Sequence, residues 1–130
     1  MSSRKLLFVV DDDPFINQLI VKRFNSDNIL VEAFEYGEEC IEVLSRKPDL
    51  IILDYYFFKS GTDVMNGMEV FDKIREVDED VPVIMLSGQD RGDIVLELAR
   101  KGITDYVIKD NSLISNLEAA IKEILGSNIF

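Results

Sequence analysis

Pro48-Asp49-Leu50-Ile51-Ile52-Leu53-Asp54 carries four consecutive apolar residues that end on a carboxylate. So short and uniformly apolar a run reads as a strand covered on both faces, the habit of parallel sheets. Three further runs are built alike. Leu6-Leu7-Phe8-Val9-Val10 ends in Asp11-Asp12-Asp13, Val83-Ile84-Met85-Leu86 ends in Ser87, and Tyr106-Val107-Ile108 ends in Lys109. With a run over Ile29–Phe34, the predicted strands are Lys5–Val10, Ile29–Phe34, Leu50–Asp54, Val81–Leu86 and Asp105–Ile108.

Segments of helical periodicity fill the intervals. Asp13 and Pro14 suit a helix start, and Ile16, Leu19, Ile20 and Phe24 form its apolar stripe. A second helix is predicted near Gly37–Arg46, with Cys40, Ile41 and Leu44 inward, and a third from about Gly67, burying Val70, Phe71 and Ile74. A fourth runs over about Asp90–Lys101 with Ile94, Val95 and Leu98 inward and Gly102 as its cap. The last, about Ser112–Leu125, carries Leu113, Leu117, Ala120, Ile121 and Ile124 and stops at Gly126. Strand–helix alternation of this kind predicts an α/β fold with a parallel sheet.

The chain has 130 residues, 47% of them apolar and 30% charged, which suits one ordinary globular domain over 1–130 with a core over about 4–125. No linker leads to a second unit, so no output domain is expected. Cys40 is the single cysteine, which excludes an internal disulfide, and within Glu39-Cys40-Ile41 it reads as a small buried residue. The absence of histidine argues against a zinc site and excludes a histidine-borne phosphoryl group. Fourteen basic against 25 acidic residues give a net charge of −11, which repels nucleic acid and predicts no direct contact with it. No run approaches the ~20 apolar residues of a membrane span, and no signal-peptide pattern opens the chain; a cytoplasmic protein without membrane contact is expected.

In parallel α/β sheets, ligands bind beyond the carboxyl ends of the strands. Here those ends deliver carboxylates, a hydroxyl and an ammonium. Three adjacent carboxylates at Asp11-Asp12-Asp13 repel one another, and a cation would relieve them; Asp54 adds another oxygen donor at a second strand end. Oxygen donors without nitrogen or sulfur suit a hard cation such as Mg²⁺. Asp54 is also a candidate nucleophile, since a carboxylate can accept a phosphoryl group. Lys109 can offset the charge of that reaction, and Ser87 can hydrogen-bond a phosphoryl oxygen.

Taken in order, Phe8-Val9-Val10-Asp11-Asp12-Asp13-Pro14, Pro48–Asp54, Val81-Pro82-Val83-Ile84-Met85-Leu86-Ser87 and Gly102-Ile103-Thr104-Asp105-Tyr106-Val107-Ile108-Lys109 resemble the receiver domain of two-component response regulators. The resemblance covers residues 4–125. It implies the flavodoxin-like (βα)5 three-layer sandwich with strand order 2-1-3-4-5. It also implies that Asp54 accepts a phosphoryl group from a sensor histidine kinase or histidine phosphotransfer protein. Asp11 and Asp12 match the acidic pair that holds Mg²⁺ (Mn²⁺ as a substitute), with Asp54 and the backbone carbonyl of Tyr56 completing the shell. Ser87 matches the switch hydroxyl, Lys109 the pairing lysine, and Tyr106 the aromatic whose rotamer follows the switch. Tyr56 and Gln89 occupy the positions that tune hydrolysis. Signalling would follow through the face made by helix four, strand five and helix five, so the chain is expected to switch partners rather than to act as an enzyme.

The sequence departs from the family pattern in three places. Asp110 stands where proline usually follows the lysine, and a cis bond before a non-proline residue costs ~3 kcal/mol, so a trans bond is predicted. Gly88 replaces a small alanine-like residue. The segment from Tyr55 to Asn66 is longer than usual, lacks the familiar Met-Pro pair, and carries Tyr55-Tyr56-Phe57-Phe58, aromatics that either pack on helix three and its neighbours or, through Tyr55, Phe57 or Phe58, shape a docking surface beside the acceptor. Rival readings are a haloacid-dehalogenase-like phosphatase with Asp11 as nucleophile and Asp13 as acid/base, a pseudo-receiver that is never phosphorylated, and a flavin carrier, which the anionic first loop disfavours.

Overall fold

The computed structural model describes residues 4–55, 66–88 and 92–130. Its elements run β1 (Lys5–Val10), α1 (Pro14–Phe24), β2 (Ile29–Phe34), α2 (Gly37–Glu42), β3 (Leu50–Asp54), α3 (Gly67–Val77), β4 (Val83–Ser87), α4 (Gly92–Arg100), β5 (Asp105–Ile108) and α5 (Leu113–Leu125). The strands form one sheet in the order β2-β1-β3-β4-β5, and every neighbouring pair is parallel. Both β3 and β4 are buried at every residue, which explains why their sequences are apolar runs rather than alternations.

The alternation of side chains along each strand separates two cores. Leu7 and Val9 of β1, Leu50 and Ile52 of β3, and Ile84 and Leu86 of β4 face α1 and α5, where Ile20, Phe24, Leu117 and Ile121 close the layer. Phe8, Val10, Ile51, Leu53, Val83 and Met85 point the other way, against Cys40, Val70, Phe71, Ile74, Ile94 and Leu98. Helices on both faces of one sheet make the three-layer sandwich that the resemblance implied.

The ends of the elements carry the differences from the sequence reading. The second helix, expected over Gly37–Arg46, breaks at Val43 (φ −114°, ψ 18°) and continues as a 3-10 turn over Leu44–Arg46. Pro48 disfavours helix at the residue before it, and Lys47 turns the chain with φ 57°. The tight turn still buries Leu44 in the second core. β4 spans Val83–Ser87 rather than Val81–Leu86, because ladder pairing starts at the Pro82 carbonyl, which accepts from Ile51 N–H at 3.0 Å. The start expected at Asp90 for the fourth helix lies outside the described residues; its end and its buried Ile94 and Leu98 agree. Gly102 and Gly126 take φ values of +89° and +110°, as helix-ending glycines do.

Candidate functional site

The β1–α1 connection is short because Asp13 ends it as a helix cap. Its Oδ1 accepts from Phe15 N–H at 2.9 Å, and Pro14 supplies a first-turn residue that needs no partner. Asp13 N–H in turn donates to Asp11 Oδ1 at 2.9 Å. Asn17, one turn into α1, reaches back and donates to the carbonyls of Asp11 (2.7 Å) and Phe34 (3.2 Å). These bonds fix Asp11 and Asp12 at the mouth of β1 with exposures of 0% and 8%.

Asp54 arrives from the end of β3 and is 3% exposed. The carboxylates of Asp11, Asp12 and Asp54 each bring an oxygen within 4.8 Å of the others. Lys109 Nζ lies 2.6 Å from Asp11 Oδ2 and 2.9 Å from Asp54 Oδ1, so one ammonium bridges the ends of β1 and β3. Its backbone is held as well: Lys109 N–H donates to the Ser87 carbonyl at 2.8 Å. That bond ties the ends of β4 and β5 together and sets Ser87, fully buried, beside the lysine. The Lys109–Asp110 bond is trans, as predicted from the missing proline.

Burial pushes the Asp54 carboxyl up to about 7; the charge of Asp11 pushes the same way and Lys109 only partly offsets both. Asp11 is raised too, again chiefly by burial, with Lys109 opposing. Lys109 itself loses to burial but gains more from Asp54 and Asp11, so its net displacement is upward. Three carboxylates against one ammonium leave the site short of positive charge. Its donor set is all oxygen and compact, which fits a divalent hard cation.

Tyr106 on β5 is half-buried and packs against the second core. Asp13 is turned away to cap α1 and is no member of the carboxylate group, which weighs against the phosphatase reading that needs it as acid/base. Tyr56 and Gln89 lie outside the described residues, as do Phe57 and Phe58 of the aromatic segment. The buried Cys40 thiol is pushed up to about 12 by burial, consistent with an inert packing role.

Two residues to which the sequence reading gave no part in the site shape it. Asn17 is one, and a polar amide on the first turn of α1 was its only signal. Gly67 is the other: its N–H donates to the Tyr55 carbonyl at 2.7 Å, so the chain leaves β3 at Tyr55 and returns to the same point. A Cβ there would meet the Asp54 carbonyl oxygen at 2.5 Å and Tyr55 Cα at 2.6 Å. Asn66 and Glu69 lock that return in a capping box, with bonds of 2.9 and 3.1 Å.

The family model described as the response regulator receiver domain matches residues 7–122. The chain is 33% identical over 104 residues to the transcriptional regulatory protein GlrR of Escherichia coli K12, covering 79% of this chain and 22% of that protein. It is 32% identical over 131 residues to a probable transcriptional regulator, ycf27, of Guillardia theta, covering 96% of this chain and 47% of the relative. The chain thus spans less than half the length of either relative. Among solved structures, the BeF3-activated N-terminal receiver domain of Klebsiella pneumoniae RstA superposes with a TM-score of 0.79 at 24% identity, covering 93% of this chain and 98% of the other. The phosphorylated cyanobacterial phytochrome response regulator RcpA gives 0.78 at 23% identity, covering 95% and 96%. Those two likenesses bear on the fold alone.

Proposed function

The chain belongs to the response regulator receiver domain family, and on that premise we propose that Asp54 accepts a phosphoryl group from the phosphohistidine of a sensor kinase or phosphotransfer protein. The observation that carries this reading is the position of Asp54. It is buried at a strand end with Lys109 Nζ 2.9 Å away and two further carboxylates in the same pocket.

An Asp54 carboxylate oxygen attacks phosphorus, the P–N bond to the donor imidazole breaks, and the electron pair leaves with the imidazole. The product is an acyl phosphate, which water later hydrolyses to phosphate and free Asp54. Asp11, Asp12 and Asp54 would hold Mg²⁺, or Mn²⁺ in its place, together with the Tyr56 carbonyl. Bound there, the ion supplies positive charge to the transferring phosphoryl oxygens. Lys109, already between Asp11 and Asp54, exchanges a carboxylate for a phosphoryl oxygen. Ser87 donates its hydroxyl from the end of β4. Tyr56 and Gln89 would govern access of the hydrolytic water. Phosphorylation then biases a two-state element, with Ser87 and Tyr106 as its moving parts and the α4–β5–α5 face as its output. The chain acts as a switch whose donor provides the phosphoryl group, in a single domain over 1–130.

Intact mass after incubation with acetyl phosphate and Mg²⁺ tests the reading. One phosphoryl group per wild-type chain is expected, with none on Asp54→Asn and none in the metal-free control. Absence of modification with acetyl phosphate, together with no response to beryllofluoride, would leave a receiver fold without the chemistry.

A further inference from the structure

Asn66-Gly67 is a chemically reactive pair that phosphoryl transfer does not use. In a flexible chain the nitrogen of the next residue can attack an asparagine amide, and glycine, having no side chain, obstructs that approach least. The chain holds seven asparagines, and Asn66 is the single one that precedes glycine. Asn25 and Asn111 precede serine, and the others precede larger residues.

The fold holds this pair in an unreactive arrangement. Asn66 is exposed, yet each group that would react is engaged. The buried Gly67 N–H donates to the Tyr55 carbonyl at 2.7 Å, which keeps its proton in place. Asn66 Oδ1 accepts from Glu69 N–H at 2.9 Å, and Asn66 N–H donates to Glu69 Oε1 at 3.1 Å. With ψ at 173°, the extended backbone of Asn66 turns the Gly67 nitrogen away from the side-chain carbonyl carbon. The capping box is therefore a guard as well as a helix start. Behind it there is no room for a longer chain. A Cβ on Gly67 would already meet the Asp54 carbonyl oxygen at 2.5 Å and Tyr55 Cα at 2.6 Å.

We infer that Asn66 is a site of spontaneous deamidation gated by the α3 capping box, and that its isoaspartate product ends phosphoryl acceptance at Asp54. When the first turn of α3 opens, the Gly67 nitrogen gives up its proton and bonds Asn66 Cγ. The bond from Cγ to the side-chain nitrogen breaks, and ammonia leaves. Water then opens the resulting succinimide at one of its two carbonyls. Opening at Cγ gives aspartate, which caps a helix as well as asparagine does. Opening at the backbone carbonyl leaves the chain running through Cγ, one methylene longer, where not even a methyl group fits. The loss of acceptance rests on the receiver reading; the gated amide stands without it.

The test holds the full chain in mildly alkaline buffer with Mg²⁺ and follows it by peptide mapping, with fragmentation that separates aspartate from isoaspartate. Conversion at Asn66 should be at least about tenfold slower than in a free peptide of residues 64–69, because only the opened turn reacts. Glu69→Ala, which removes one bond of the box, should speed it about threefold or more, and Glu69→Gln, which keeps the acceptor, should not. Asn25 and Asn111 should convert at the same rate in all three proteins. Acetyl phosphate labelling of the aged samples reads the consequence. Chains with isoaspartate should lose the label, while chains with aspartate, and Asn66→Asp, should still take it. Asn66→Ser, which keeps a capping oxygen without the amide, should retain through ageing the labelling that the wild type loses. Equal rates at Asn66 in the wild type and Glu69→Ala, a wild-type rate equal to that of the peptide, or label on isoaspartate chains would overturn the inference. Fresh wild type that takes no label removes the receiver reading and the consequence with it, while a rate that depends on the box keeps the gated site.

Discussion

Without a divalent cation, this protein should lose stability as the pH rises, and the cause should be Asp54. Its carboxyl is held at about 7 in the folded chain, against an ordinary 3.8, chiefly by burial and then by the charge of Asp11. Between those values the folded state keeps a proton that the unfolded state has lost. Stability conferred by that proton is complete below the unfolded value and disappears as the pH climbs through the folded one. At about 1.4 kcal/mol per unit, the displacement amounts to about 4 kcal/mol between about pH 4 and above pH 7, of the order of a third or more of a domain's net stability. Asp11 is displaced in the same direction and adds to the trend. Lys109 stays charged across this window, folded or unfolded, and contributes no slope. The assay is urea unfolding in chelator from about pH 5 to about pH 8, on the wild type and Asp54→Asn. The wild type should weaken by a few kcal/mol relative to the variant, making Asp54→Asn the more stable protein at the alkaline end. Excess Mg²⁺ should restore most of the difference. Parallel curves for the two proteins would refute the reasoning, since they would mean that Asp54 bears no burial cost.

Other outcomes follow from the same contacts. Lys109→Met removes the ammonium that occupies Asp11 Oδ2 and Asp54 Oδ1; calorimetry should find Mg²⁺ bound several-fold more tightly while acetyl phosphate labelling slows about tenfold or more. Gly67→Ala drives a Cβ into the Asp54 carbonyl oxygen and Tyr55 Cα, so labelling should slow out of proportion to a stability loss of about 1–3 kcal/mol. Gly37→Ala clashes instead with the Val70 side chain; Val70→Ala should rescue it, whereas Gly67→Ala should have no such rescue at Met85. Asn17→Ala removes the side-chain donor from the Asp11 carbonyl and leaves the Phe34 carbonyl with Asp11 N–H alone; it should weaken Mg²⁺ binding, read by the same calorimetry, without changing the fold by circular dichroism. Cys40, buried and held at about 12, should react with a thiol reagent only at the rate of global unfolding.

The strands were legible because burial on both faces leaves only one solution for β3 and β4, an unbroken apolar run in which the first polar residue marks the strand end. The same ending puts Asp54, Ser87 and Lys109 at one end of the sheet from the sequence alone. The break in the second helix was not legible. Cys40, Ile41 and Leu44 satisfy a helical stripe equally well whether the last turn is α or 3-10, and the stripe says nothing about how the chain must reach β3. Asn17 and Gly67 were missed for a related reason. Each acts on backbone atoms of a segment distant in sequence, and backbone contacts leave no periodic trace.

The position of Lys109 ties the carboxylate cluster to the ends of β4 and β5. Its Nζ holds Asp11 and Asp54, while its backbone N–H is fixed to the Ser87 carbonyl. Any phosphoryl oxygen that takes over one of these carboxylate contacts pulls on β5 and on Ser87 together. β5 is only four residues long and pairs with β4 on one side alone, so a displacement at Lys109 has a short path along it. Beryllofluoride added to the wild type should shift the amide resonances of residues 105–108, and at saturating beryllofluoride Lys109→Met should shrink those shifts. Unmoved resonances in the wild type would mean that β5 carries no signal from the carboxylate site.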